Sequence, residues 1–282
     1  MIAGALALAI RTVGTILPER VLRWVLRQGA TLAYLHPGVR QALLDNARHL
    51  VGPSSEPRAR RRLALAVCRS FGDAIADLLI IRRRYAGDEL PIEVHGREHF
   101  QKAMSMDRGI VGVTLHMGSY ELGSLVVARR SPGVAIVYHR DRAGFFEKLR
   151  SSQRSFSSVD EVAVDASPFF GIEILNRLRR KETVLIAGEL AAGLHGEPFP
   201  FVDGVADFSL WPVRVAATSG APILPAFMVR DDHGQLVLHL EEPIIADRDD
   251  PHSTMLQLVR IFERYVAQYP EQWLMVRSFW RS

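Results

Sequence analysis

The sequence predicts an α/β protein: a mixed, mostly parallel central sheet flanked by helices, with an N-terminal helical segment that contacts a membrane surface. Three observations carry this. From about residue 89 to 241, short apolar runs rich in β-branched residues alternate with helix-length stretches. Polar residues directly follow an apolar run at Leu115-His116, at Tyr138-His139-Arg140 and at Ala187-Gly188-Glu189. The first 84 residues hold fourteen arginines against five acids, whereas the rest of the 282-residue chain holds 21 basic and 26 acidic residues. Basic character confined to one end points to a polyanionic surface such as anionic lipid rather than to a nucleic-acid groove.

Each element follows in order. Met1–Ile10 is apolar, but Arg11 ends it short of the ~20 residues a spanning helix needs. The apolar residues also come before the basic ones, the reverse of an export signal. Residues 18–34 predict a helix opened by Pro18, with Arg20, Arg23 and Arg27 among Val21, Leu22, Trp24 and Val25. A helix of this kind reads as lying in a lipid headgroup layer in preference to packing as an ordinary surface helix on its own domain. His36-Pro37-Gly38 and Gly52-Pro53-Ser54-Ser55 break the helical zone, and Arg58–Arg83 reads as one long helix. Its arginine cluster, Arg58–Arg62, is expected to face anionic lipid or an acidic carrier protein. Residues 1–84 are thus expected to form a membrane-associating helical segment, and 85–282 an α/β domain continuous with it.

Within that domain the expected strands are Ile110–Leu115, Val134–Tyr138, Val162–Asp165, Thr183–Ala187, Ile223–Met228 and Leu236–Leu240. Helices are expected over Ser119–Arg130, Gly144–Phe156, Phe169–Arg180 and Leu210–Ser219, and a last one over Ser253–Gln268. Asp231-Asp232-His233-Gly234 is a turn, so the last two strands pair antiparallel. Phe199, Phe201 and Phe208 read as core packing in preference to an acyl tunnel.

Several chemistries lack their residues. Cys68 is the only cysteine, so disulfides and thiolate metal clusters are out. There is no phosphate-binding G-x-x-x-x-G-K-[ST], no G-x-G-x-x-G, no H-E-x-x-H and no G-x-S-x-G. Neither a metal nor an organic cofactor is expected.

In open α/β sheets chemistry gathers at the carboxyl ends of the strands, and the most distinctive such end is His116-Met117-Gly118-Ser119-Tyr120-Glu121. Gly118 and Ser119 can turn the chain and start a helix, which places Glu121 in its first turn. On one continuous helix His116 and Glu121 would point about 140° apart. They converge only if His116 sits in the turn before the helix. The helix N-terminus there favours the neutral imidazole, and a carboxylate on the second ring nitrogen would fix its tautomer. Such a pair is a general base awaiting a hydroxyl.

These residues resemble the His-x4-Asp/Glu motif of the glycerol-phosphate acyltransferase-like superfamily. More closely, the chain resembles the bacterial lipid A late (lauroyl/myristoyl) acyltransferases and the related phosphatidylinositol mannoside acyltransferases. The likeness runs through LLDNARHL at 43–50, VYHRDRAGFFEKLR at 137–150, VLIAGELAAG at 184–193, FPFVDG at 199–204, WPVRVAATSGAPILPAFMVR at 211–230 and YPEQWLMVRSFW at 269–280. It implies transfer of a fatty acyl group from an acyl-ACP or acyl-CoA thioester to a hydroxyl of a membrane glycolipid or related lipid, at the cytoplasmic face of the inner membrane. In this reading His116 is the general base, and Glu121 and Glu189 both match acidic positions that could partner it. Arg140, Tyr138 and Ser119 are expected to contact substrate, although Tyr-His-Arg stands here in place of the family's Tyr-Arg-Pro. Arg140 has a second reading as a surface ion-pairer, and Trp273 and Arg277 read first as structural. A non-catalytic lipid-binding scaffold on the same fold is the alternative, against which the intact His116, Glu121 and Glu189 speak.

Overall fold

The computed structural model describes residues 17–84, 92–139, 159–165, 169–189 and 196–281. The chain begins with three helices: α1 (Glu19–Thr31), α2 (Pro37–Leu50) and α3 (Pro57–Arg84). A short 3-10 turn, Leu32–Leu35, ends at His36, and Pro37 then opens α2 at a position where its missing N–H costs nothing. There follow β1 (Glu93–His95), α4 (Arg97–Ser105), β2 (Ile110–Thr114), α5 (Tyr120–Ala128), β3 (Val134–Tyr138), β4 (Val159–Ala163), α6 (Phe170–Arg179) and β5 (Thr183–Ala187). The hairpin β6 (Glu197–Phe201) and β7 (Gly204–Phe208) precedes α7 (Trp211–Ser219), β8 (Ile223–Arg230), β9 (Leu236–Leu240) and α8 (Pro251–Gln268).

The described strands form a sheet ordered β1-β9-β8-β2-β5-β3-β4. Its neighbours run parallel except β8 and β9, which pair antiparallel across the Asp231–Gly234 turn as expected. Asp231 Oδ1 accepts from the N–H groups of His233 and Gln235, and Gly234 adopts φ +77°. Strand β2 is central and covered on both faces. Val111 and Val113 enter the core that also holds Phe208, Phe227, Phe262 and Trp273, and Ile110 enters the opposite core with Phe100, Leu122 and Val126. Burial on both faces is why such strands read as unbroken apolar runs.

The structure departs from the expected elements in a few places. Strand β4 starts three residues earlier than expected, because Val159 registers opposite Val134 on β3. The β6–β7 hairpin was not expected, since Pro198 and Pro200 argue against a strand. Both prolines face solvent on a two-stranded ribbon, while Phe199 and Phe201 alternate inward and are fully buried. Those two and Phe208 are core residues, as expected. Residues Gly144–Phe156, expected as a helix, lie outside the described residues, as does the apolar start of the chain.

The N-terminal helices pack onto the rest of the chain. Leu78 of α3 joins the core under α5. Asn46 of α2 donates to the carbonyls of Met275 and Arg277, and accepts from the N–H of Phe279. Among the described residues no helix is long and apolar enough to cross a membrane.

Candidate active site

His116 stands one residue beyond Leu115, where the chain leaves β2, and ahead of α5. It therefore occupies the turn before the helix, the arrangement that convergence with an acid requires. The turn is fixed from several sides. Gly118 adopts φ +53° and donates its N–H to the carbonyl of Gln272, and a Cβ there would meet the Met228 carbonyl oxygen at 2.2 Å. Only glycine fits such a position. Gln272 in turn clasps Arg230, its Oε1 accepting the N–H and its Nε2 donating to the carbonyl. Ser119 donates its N–H to the Met228 carbonyl.

The end of β5 delivers Glu189 to the same point. Gly188 donates its N–H to the Thr114 carbonyl at 2.6 Å, so β5 and β2 leave the sheet together. One Glu189 oxygen, Oε1, accepts from the His116 N–H at 2.7 Å, and the other, Oε2, lies 3.2 Å from His116 Nδ1. Trp273 donates its indole N–H to Oε1 at 3.1 Å. A carboxylate can only accept, so the ring proton sits on Nδ1 and Nε2 is the ring's acceptor atom. Tyr120 packs edge-on against the His116 ring, with centroids 5.1 Å apart.

Glu189 is buried, whereas the His116 side chain is 45% exposed. Burial alone would push the Glu189 carboxyl up. The positive charge that the His116 ring carries once Nε2 is protonated, and the hydrogen bonds from the ring and from the His116 N–H, outweigh this and hold it below the ordinary carboxylate range. The acid thus stays anionic beside the imidazole and can stabilise imidazolium as it forms.

A cavity of about 610 Å³ opens at this pair. One part runs between α5 and the sheet, walled by Gly123, Val127, Ile136, Leu185, Met228 and Leu238. Another is bounded by Phe170, Leu210 and Trp211, and the exposed residues Arg214 and Arg277 lie on its open side. Glu121, in the first turn of α5, is buried and lines the cavity, as does Tyr138 at the end of β3. Ser119 is placed otherwise: its hydroxyl turns away to the carboxylate of Asp77, and it is not part of the cavity wall. Arg140 lies outside the described residues. Trp273, read from the sequence as structural, holds the Glu189 carboxylate, a role visible only once the tail folds back over the sheet.

The family described as bacterial lipid A biosynthesis acyltransferase matches residues 2–282. The lipid A biosynthesis palmitoleoyltransferase of Escherichia coli (strain K12) is 26% identical over 195 residues, covering 67% of this chain and 61% of that protein. The lipid A biosynthesis acyltransferase of Shigella flexneri matches to the same extent. The chain therefore spans about three fifths of these curated relatives. Among solved structures, the 1-acyl-sn-glycerophosphate acyltransferase of Thermotoga maritima is 14% identical, with a TM-score of 0.42 over 91% of this chain and 99% of that one.

Proposed function

The chain belongs to the bacterial lipid A biosynthesis acyltransferase family, and from that premise we propose that it moves a fatty acyl group from a thioester of acyl carrier protein or coenzyme A to a hydroxyl of a membrane glycolipid. The observation that carries this reading is the grip of Glu189 on both the N–H and the ring of His116, at the mouth of an apolar recess.

In the proposed reaction the acyl chain lies in the recess between α5 and the sheet, with its thioester carbonyl at His116. Nε2 takes the proton of the acceptor hydroxyl while its oxygen attacks the carbonyl carbon. The imidazolium is stabilised by the Glu189 anion. When the tetrahedral intermediate collapses, the C–S bond breaks and the departing sulfur receives that proton as a thiol. A thioester is already activated, so the residues required are a base, its orienting acid and donors for the developing oxyanion. Arg214 and Arg277, exposed at the cavity, supply positive charge for the anionic parts of donor or acceptor.

Support for a lipid surface comes from α1. Val21, Trp24 and Val25 of α1 and Leu32 and Leu35 of the 3-10 turn that follows it are exposed, with Arg20 on the same helix. Apolar and cationic side chains on one helix suit the headgroup layer of an anionic membrane, which the protein would meet peripherally from the cytoplasmic face. The acceptor is tested by mass spectrometry of lipid extracts from cells with and without the gene. A glycolipid lighter by one acyl group in the deletion is the expected result, and identical extracts would refute the reading.

A further inference from the structure

We propose that Asp77, on α3, is a positioning residue of this centre: its carboxylate, clamped between Arg23 and Arg230, orients the His116 turn through the hydroxyl of Ser119. The proposal rests on His116 being the reacting base.

The Asp77 side chain is 3% exposed and belongs to the N-terminal helices, well away in sequence from the strands that build the site. Arg23 of α1 donates to Asp77 Oδ1 at 2.9 Å, Arg230 at the end of β8 donates to the same oxygen, and Ser119 donates its hydroxyl to Oδ2. A buried carboxylate needs such partners, but two guanidinium groups already balance its charge. The serine bond needs another explanation. Ser119 is the N-cap residue of α5, where a serine oxygen ordinarily accepts from an N–H of the first turn. Here it makes no capping bond. It spends its proton on Asp77 instead, three residues after His116.

The other restraints on the turn are the Glu189 carboxylate on the His116 N–H, the Gln272 carbonyl of the C-terminal tail on the Gly118 N–H, and the Met228 carbonyl of β8 on the Ser119 N–H. Asp77 adds a restraint on the Ser119 side chain, and it comes from the helices. Arg23 also donates to Asp73 at 3.1 Å, and Arg27 donates to Asp73 at 2.8 Å. Asp73, which helps seat α1, and Asp77, which holds the turn, thus sit one helical turn apart on α3. Correct placement of the base therefore depends on α1, the helix with the exposed apolar face, being docked.

The test uses the full chain with Ser119→Ala, Asp77→Asn and the double variant. Thiol release from lauroyl-acyl carrier protein and, separately, from lauroyl-coenzyme A, in the presence of bacterial lipid extract, gives kcat and KM with whichever thioester the wild type uses. NMR of ¹⁵N-histidine-labelled protein reports the His116 ring nitrogens. Ser119→Ala removes one hydroxyl and no cap, so its fold should survive even if Asp77→Asn, which leaves two arginines short of an anion, melts early. The expected result is a kcat lowered about ten- to a hundredfold in Ser119→Ala with KM within about twofold, as befits a misplaced base. The double variant should be no slower than Asp77→Asn, and the His116 ring resonances should move. Full kcat in Ser119→Ala, or losses that multiply in the double variant, would overturn the proposal. If the wild type releases no thiol, the acyl-transfer reading fails, and the NMR arm still decides whether Asp77 positions the ring: shifted His116 resonances in Ser119→Ala uphold it, unchanged ones refute it.

Discussion

One carboxylate accepting from the backbone and the ring of the same histidine removes that ring's rotational freedom and selects its tautomer. Glu189→Gln retains the shape but loses the negative charge, so kcat should fall about 10²- to 10³-fold. The same residue links stability to pH. Its folded pKa lies below the ordinary value, so its contribution is present above the unfolded carboxyl's pKa and is lost as pH falls through the folded one. Melting temperatures of wild type and Glu189→Gln should therefore differ most above the ordinary carboxyl range and draw together as pH falls below it, through the folded value. A constant offset across pH would contradict the assignment. His116 was legible because an apolar run ends abruptly in His, Gly and Ser, a pattern that strand, turn and helix chemistry impose locally. The bonds of Glu189 were not, because they depend on β5 lying beside β2 and on the tail bringing Trp273 over both.

At the scale of elements, α5 and the sheet together shape the recess proposed for the acyl chain. Gly123 sits on the face of α5 toward Met228 and Leu238, and a Cβ there would find both at 3.7 Å, ordinary contact. Gly123→Ala should thus fold and work. Gly123→Leu should fill the recess and shorten the preferred acyl chain by about two to four carbons, since close-packed walls do not yield to added methylenes. Product analysis with a mixture of acyl donors checks this, and an unchanged chain-length profile would remove the recess from the reading. Most elements around the site were readable from alternating strand and helix patterns. Strand β1, with three residues, is too short to show a period, and the proline-bearing β6 hides its alternation behind residues that normally break strands. That Ser119 turns from its own helix toward α3 is likewise a matter of tertiary packing, invisible in a serine that looks like an ordinary cap.

For the whole molecule, the proposed contact with an anionic bilayer rests on the uneven charge and on the exposed apolar side chains of α1 and of the 3-10 turn after it. Trp24 is 63% and Leu35 71% exposed, and replacing both with glutamate should weaken sedimentation with phosphatidylglycerol-containing vesicles about tenfold or more, while leaving the melting temperature near that of wild type. Vesicle binding at wild-type strength would place the contact elsewhere. The basic first third was plain from counting residues, but the particular bonds that join it to the domain were not. Asn46 stitched to the C-terminal tail and Asp77 reaching Ser119 join segments far apart in sequence. The account as a whole turns on His116. Transfer of a labelled acyl group from its thioester to glycolipid, measured with wild type and His116→Ala at equal folded concentration, should show a loss of about 10²- to 10⁴-fold in the variant; turnover at the wild-type rate would contradict it.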